Sequence, residues 1–342
     1  MKKAAIPFLI ILLTLFIACG GDDNGTDGNG TPTVTRLVAD TLAQPSMTDV
    51  NVGWSGVDSA MVEIGGSTIY GINPNLGKQN MILKAIVKNN ILYIRAKWHD
   101  ANANIWGNYI RRTNLEGNFE QNTYEGEDKL LFLFDAQNNG TEKADCASMC
   151  HVTEHYTTGG GNADAWKWLA TKTSPGWMGE DEWWNNSDRL LDARQPNMYV
   201  YRENWNSQTK HPYWMHTDGP DFTEPFLYLE DTATFNPLNP GWATGDRIPG
   251  YAIDSTIYKS GARTLSSVWD IAAISHFDSS GEVTSWSWTV VMARALNTGH
   301  ADDVNLSSLD SVQIAVAATN NDAVDATTAH SGSKPFYLIL KP

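Results

Sequence analysis

The stretch "MILKAIVKNNILYIRAKWHD" (residues 81–100) constrains the fold more than any other part of the chain. Leu92, Ile94, Ala96 and Trp98 alternate with Tyr93, Arg95 and Lys97, a period of two that only a strand with one buried face satisfies. Lys88-Asn89-Asn90 supplies the turn, so the segment reads as a β-hairpin. The same grammar recurs along the chain. "LLFLFD" (Leu130–Asp135) is apolar on both faces, which predicts a central strand. Trp286, Trp288, Val290 and Met292 share one face of another predicted strand, and Val312, Ile314 and Val316 one face of a further one. "PFYLIL" closes the chain. Many short strands punctuated by Gly, Asn and Asp predict an all-β protein, an immunoglobulin-like or sugar-binding-module-like β-sandwich with a few short helices. One such helix is expected near Asp181–Leu191. Residues 175–265 are rich in Trp, Asn, Pro and Gly and read as long loops inserted in the sandwich, not as a second domain. Loops of that length in a compact domain generally build a site.

The N-terminus places the protein. Lys2 and Lys3 precede an apolar run from Ala4 to Ala18, too short and wrongly flanked to span a bilayer, as expected of a secretory signal over 1–18. The run ends "LFIAC", which resembles the lipobox of bacterial lipoproteins and makes Cys19 the expected lipidation site. "GGDDNGTDGNGTPT" has nothing to bury, so 19–34 is a flexible tether and 35–342 the folded domain. The expected location is an outer membrane, on its periplasmic or cell-surface face, with the lipid as the only anchor. Loss of Lys2 and Lys3 takes the net charge from −15 to −17, which argues against nucleic acid as a partner.

With Cys19 spent on lipid, Cys146 and Cys150 are the remaining thiols of the three cysteines. They fall within "CASMCHVTEH", which admits three chemistries. A covalent haem needs two thiols for its vinyl groups and a following His for the iron; the usual spacing is C-x-x-C-H, and here it is one residue longer. "HVTEH" matches H-x-x-E-H, in which His151 and His155 would bind zinc and Glu154 act as general base, provided the segment is helical. Val152, Thr153 and the following "TTGGGN" oppose a helix. Lastly, Cys146 and Cys150 could form a small-loop disulfide with both histidines on the surface.

The flanks bear on the choice. "CASMCHVTEHYTTGGGNADAWKWLATKTSPGWMGEDEWW" resembles the haem-binding family named for ethylbenzene dehydrogenase, whose c-type-looking members follow the Cys-x-x-x-Cys-His with an Asp, Trp, Trp and Lys segment, here Asp164, Trp166, Lys167 and Trp168. "RIPGY" (Arg247–Tyr251), "WTVVMARALNTGHADDVNL" and "AVAATNNDAVDATTAHSG" are similar to further segments of that family, so the likeness runs from about residue 80 to the end. It implies a β-sandwich with haem held by its loops, one covalent haem c on Cys146 and Cys150, and His151 as proximal ligand. It also implies electron transfer with redox partner proteins, either as the electron-transfer subunit of a molybdenum oxidoreductase or as a protein that stands alone. Relatives with non-covalent haem use Met and Lys as axial ligands. This chain departs from them, with His155 where a Met is common and His330 and Lys334 near the C-terminus. His330, far along the chain from His151, is the expected distal ligand and His155 its rival. Arg294 is expected either to pair with a haem propionate or to form a structural salt bridge, and His300 also matches a family position. Trp166 and Trp168 are candidates for the haem wall or for the core. Glu180, Asp181 and Glu182 are expected to form a solvated face. A metal-free sugar-binding type of module, or a zinc hydrolase, are the competing functions.

Overall fold

The computed structural model describes residues 35–65, 79–113, 118–122, 126–135, 162–184, 189–191, 201–236, 241–254, 270–322 and 329–341. One thirteen-stranded sheet dominates them. Its strands are β1 (Arg36–Asp40), β2 (Ala60–Ile64), β3 (Gln79–Lys88), β4 (Ile91–His99), β5 (Glu127–Asp135), β6 (Ala163–Leu169) and β7 (Glu180–Trp184). There follow β8 (Arg189–Leu191), β9 (Ile271–Asp278), β10 (Ser287–Ala295), β11 (Ser311–Asp322), β12 (Ala329–Gly332) and β13 (Phe336–Ile339). The order is β8-β7-β6-β5-β11-β13-β1-β3-β4-β10-β9, with β2 beside β3 and β12 beside β11. Among the described strands of this sheet only β1 runs parallel to its neighbours, pairing Arg36 with Tyr337 and Ala39 with Ala85.

The sheet wraps around one inner core. Leu83, Ile94, Trp98, Phe132, Trp166, Trp168, Met292, Ile314 and Leu338 all belong to it. The alternation read from the sequence explains this, since every second residue of each strand turns inward. Leu92, Ile94, Ala96 and Trp98 are buried as expected. β5 is buried on both faces: Leu130, Phe132 and Phe134 enter the inner core, while Leu131 and Leu133 join Ala163, Ala165, Ala315 and Ala317 outside it. Asn89 and Asn90 both have positive φ, 54° and 61°, which makes the turn between β3 and β4 a two-residue primed hairpin. Trp286 differs from expectation: β10 begins one residue later, and the Trp286 ring sits 6.3 Å from that of Phe277 at the rim.

The ends of the strand order nearly meet. Met178 bridges Ala272 on β9, Gly179 N donates to Ile271 O at 3.1 Å, and Ala273 N donates to Trp177 O at 3.0 Å. Gly179 makes this seam possible, because a Cβ there would lie 2.7 Å from Ile271 Cγ2 and 2.8 Å from Met292 Cε. The protein is an all-β sandwich with a nearly closed sheet.

The helix expected near Asp181–Leu191 is instead β7 and β8, paired Trp184 with Arg189 and Leu191 with Glu182. The reason is the partner of each acidic residue, which alternates from face to face as the next subsection shows. The only helices among the described residues are single 3₁₀ turns such as Ser174–Gly176 and Leu306–Ser308. Of the 175–265 stretch expected to be loops, β7 and β8 thus belong to the main sheet; beyond them Tyr201–Glu203 pairs with Tyr251–Ile253, and Arg247–Ile248 pairs with Ile110–Arg112. A small cluster of Ile110, Phe119, Met215, Phe235, Trp242 and Ile248 ties the insertion to the 110–121 hairpin.

Candidate functional site

β6 and β7 form an antiparallel pair in which Trp166 faces Asp181 and Lys167 faces Glu180. Successive residues point to opposite sides, so one short hairpin carries charge on both of its faces. On the core side, Arg294 of β10 is wholly buried. Its NH1 lies 3.0 Å from Asp164 Oδ1 and its NH2 2.5 Å from Asp164 Oδ2. Asp181 Oδ2 is 3.2 Å and Asp303 Oδ1 3.3 Å from NH1. The guanidinium also sits 4.7 Å over the Trp166 ring. Val304 N donates to Asp164 Oδ2 at 2.9 Å, which brings the loop after β10 into the cluster. His300 Nδ1 lies 3.0 Å from Asp270 Oδ2 and 3.6 Å from Asp303 Oδ2.

Burial pushes the Asp164 carboxyl up to about 6, against the pull of Arg294. Burial likewise holds Asp181 well above the ordinary carboxylate range; Arg294 opposes this, and Asp164 and Asp303 reinforce it. For Arg294 burial works to lower the pKa, but the three carboxylates outweigh it, so the guanidinium stays charged. Asp164, Asp181 and Asp303 are close enough to hold a cation, as are Asp270, His300 and Asp303. In the first group Arg294 already supplies the positive charge.

On the opposite face, Lys167 Nζ bridges Glu180 Oε2 at 2.7 Å and Glu182 Oε1 at 2.5 Å. Trp184 Nε1 donates to Glu182 Oε2 at 2.7 Å, and Tyr201 OH donates to Glu180 Oε1 at 2.5 Å. Lys172 Nζ stands 5.0 Å from the Tyr251 ring centre, and Asn108 Nδ2 donates to Tyr251 OH at 2.6 Å. Burial works to raise the Glu180 carboxyl, but Lys167 overrides it and holds it low. Burial, then Glu180, raises the Tyr201 hydroxyl, so it remains a neutral donor. This network pins the inserted loops to the sandwich. The expectation of a solvated acidic face at Glu180, Asp181 and Glu182 is therefore corrected: all three are buried, two with Lys167 and one with Arg294.

Trp166 and Trp168 lie in the inner core, where Trp168 meets Trp288 at 5.0 Å and Trp166 meets Phe134 at 4.5 Å between ring centres. Their burial is complete, which is the core alternative of the two the sequence left. Arg294 likewise takes the salt-bridge alternative, with both terminal nitrogens on carboxylates. Cys19, Cys146, Cys150, His151, Glu154 and His155 lie outside the described residues. The connection that carries the Cys-x-x-x-Cys-His leaves β5 after Asp135 and returns before Ala163, and these two residues are directly paired. The backbone of His330 lies on β12 opposite Thr319, which in turn pairs with Lys129 of β5. Asp135 and Lys129 are separated by about 20 Å along that strand at ~3.4 Å per residue. Asp270, Asp303 and Tyr201 were not singled out from the sequence, and Tyr251 only as the end of "RIPGY". Asp303 did stand in the family-like "GHADDVNL" run, but its pairing with Arg294 could not be inferred without the fold.

The fold and this buried charge system define a β-sandwich domain with long loops between its strands. The chain belongs to the ethylbenzene dehydrogenase family, whose sequence profile matches residues 51–332. No curated protein matches it. Among solved structures, a family 9 carbohydrate-binding module from Caldicellulosiruptor kristjanssonii, in complex with glucose, is similar with a TM-score of 0.35 and 10% identity, covering 90% of this chain and 95% of that one. A protein from Bacteroides uniformis described as carbohydrate-binding has a TM-score of 0.36 and 9% identity, covering 90% and 100%. No ligand is carried over from either.

Proposed function

We propose that this protein is an extracytoplasmic, lipid-anchored cytochrome that holds one c-type haem on Cys146 and Cys150 and exchanges single electrons with redox partner proteins. The observation that carries the reading is the Cys-x-x-x-Cys-His at 146–151, in a chain whose family is associated with haem-containing subunits and with a role inside an oxidoreductase complex. The residues fit the group in kind: two thiols for thioether bonds and imidazoles for iron. The strands from which the motif departs carry a second buried apolar layer, in which Ala163, Ala165, Ala315 and Ala317 pack with Leu131, Leu133 and Trp184 on the outer side of β5, β6 and β11. An apolar layer there keeps water from the base of the motif-bearing connection. When bound, the haem supplies the one-electron chemistry; the chain supplies ligands, a dry surround and a docking surface.

His151 is assigned the proximal side of the iron and His330 the distal side, with His155 as the rival. Cys19 is assigned to lipid, which places the domain on an outer membrane. The test is the visible spectrum of the full chain made in a host with cytochrome c maturation. A sharp reduced α-band that resists acid-acetone extraction is expected, and the Cys146→Ala/Cys150→Ala double variant should lose the covalent link. His330→Ala should convert low-spin to ligand-accessible haem while the link survives; if His155→Ala does so instead, the distal role passes to His155. A colourless protein with stoichiometric zinc would move the function to His151, Glu154 and His155. A colourless, metal-free protein with a Cys146–Cys150 disulfide would make it a binding module.

A further inference from the structure

A groove of about 410 Å³ opens between residues 47–51, Ser174, Trp177 and Ile274–His276 of β9, on the outer face of the sheet and apart from the charged hairpin. One wall is a loop made rigid by its own bonds. Val50, Trp54 and Val57 pack on Ile86, Ile274 and Val291. Arg95 Nε donates to Val50 O at 2.8 Å and Lys84 Nζ to Trp54 O at 2.9 Å, so two cations from the sheet hold the loop by its backbone. Thr48 N and Asp49 N both donate to Ser46 Oγ. Gly53, at φ +88°, passes so close to Gln44 O that a Cβ there would lie 1.9 Å from it.

The other wall is Trp177, whose backbone is left-handed at φ 55° and ψ 40°. A bulky side chain seldom adopts that conformation, and backbone strain of this kind gathers at ligand sites. Here it is enforced by Trp177 N donating to Ser174 O and Trp177 O accepting from Ala273 N, both at 3.0 Å. The indole is half-buried beside the Val50–Ile274 cluster and lines the groove together with Met47. Thr48, Asp49 and Asn51, all exposed, and the Ser174–Ser275 hydroxyl pair at 2.7 Å complete the lining. No lysine or arginine is among the residues that line it.

We propose that this groove is a saccharide-binding site for a neutral mono- or disaccharide unit. A sugar ring has an apolar C–H face and a rim of hydroxyls, which match a groove lined by an indole and a thioether together with hydroxyl, amide and carboxylate groups. Thr48 Oγ1, Asp49 Oδ1 and Asn51 Oδ1 are held by Ser46 Oγ, Asn51 N and Arg95, and their remaining acceptor capacity is what the rim offers to a ligand's hydroxyls. The volume falls in the range of small-molecule sites, about 300–1,000 Å³. The site does not depend on the haem reading.

The experiment is titration of the full chain with cellobiose, maltose and xylobiose, followed by tryptophan fluorescence and calorimetry. At least one disaccharide should give a saturable response. Trp177→Gly, which relieves the positive φ while removing the ring, should weaken that binding roughly tenfold. Ser275→Ala, which keeps the strand packing, should weaken it roughly fivefold. Circular dichroism and cofactor content should be unchanged in both. Absence of saturation with all three sugars overturns the proposal, as does binding that both folded variants retain at full affinity.

Discussion

Arg294 brings a full positive charge to a place closed to water, and three carboxylates make that tolerable. Removing the cation leaves Asp164, Asp181 and Asp303 buried without their counter-charge. Arg294→Met should therefore cost about 3–5 kcal/mol of unfolding free energy, read by urea denaturation at neutral pH. The loss should shrink at pH 5, where the carboxyls can take up protons instead. Asp100 offers a cleaner titration. Burial pushes it up to about 6, against an Asn102 N–H and His99 that pull it down. Its folded pKa lies above the unfolded value near 3.8, so between those values the folded state holds a proton that the unfolded state releases. Its contribution is largest below about pH 4 and falls away as pH rises through about 6, by about 3 kcal/mol at most. Asp100→Asn, which keeps the acceptor used by Asn102 N, should flatten that fall in denaturation curves measured from pH 4 to 7. Neither behaviour was legible from the residues alone. An acidic triplet at 180–182 looks solvated until Lys167, Tyr201 and Arg294 are brought onto its two sides.

Among the elements, the β3–β4 hairpin was fully legible, because alternation and an Asn-Asn turn are local signals. β7 was not. Glu and Trp are compatible with a helix, and what makes residues 180–184 a strand is pairing with β6, together with the opposite partners of Glu180 and Asp181. The seam between Trp177–Gly179 and β9 is likewise invisible to local pattern. Gly179→Ala must displace Ile271, Met292 or the Lys167 carbonyl, which lies 3.2 Å from the added carbon. We expect destabilisation of about 1–3 kcal/mol, seen as a lower Tm with the all-β circular dichroism spectrum retained. An unchanged Tm would mean that the seam yields freely and does not limit stability.

For the whole molecule, the strand order carries one consequence for the cofactor reading. The motif-bearing connection leaves from the Asp135–Ala163 end of the β5–β6 pair, whereas the His330 backbone lies at the level of Lys129. Distal ligation by His330 therefore asks that the cofactor reach along the outer side of β5 and β11, past Ala315 and Ala317. The proposed anchor is a separate matter and rests on one residue, Cys19. If Cys19 is acylated, Cys19→Ala should move the folded domain from the membrane to the soluble fraction, because the Gly- and Asp-rich tether has nothing to hold a bilayer. Unchanged partitioning on ultracentrifugation would mean a different anchor.

By itself the sequence determined the strand-rich class, the faces that turn inward and the family, since periodicity, turn residues and contiguous motifs are written in local order. It also presented the thiols and imidazole of the Cys-x-x-x-Cys-His, because that chemistry needs near neighbours in the chain. Only the tertiary structure decided where the charges went. Arg294 meets Asp164 from 130 residues away and Asp181 from 113. Trp177 meets the 47–51 loop across a comparable distance in sequence. Burial and pairing at such separations depend on which strands become neighbours, and that is set by the collective packing of the inner core.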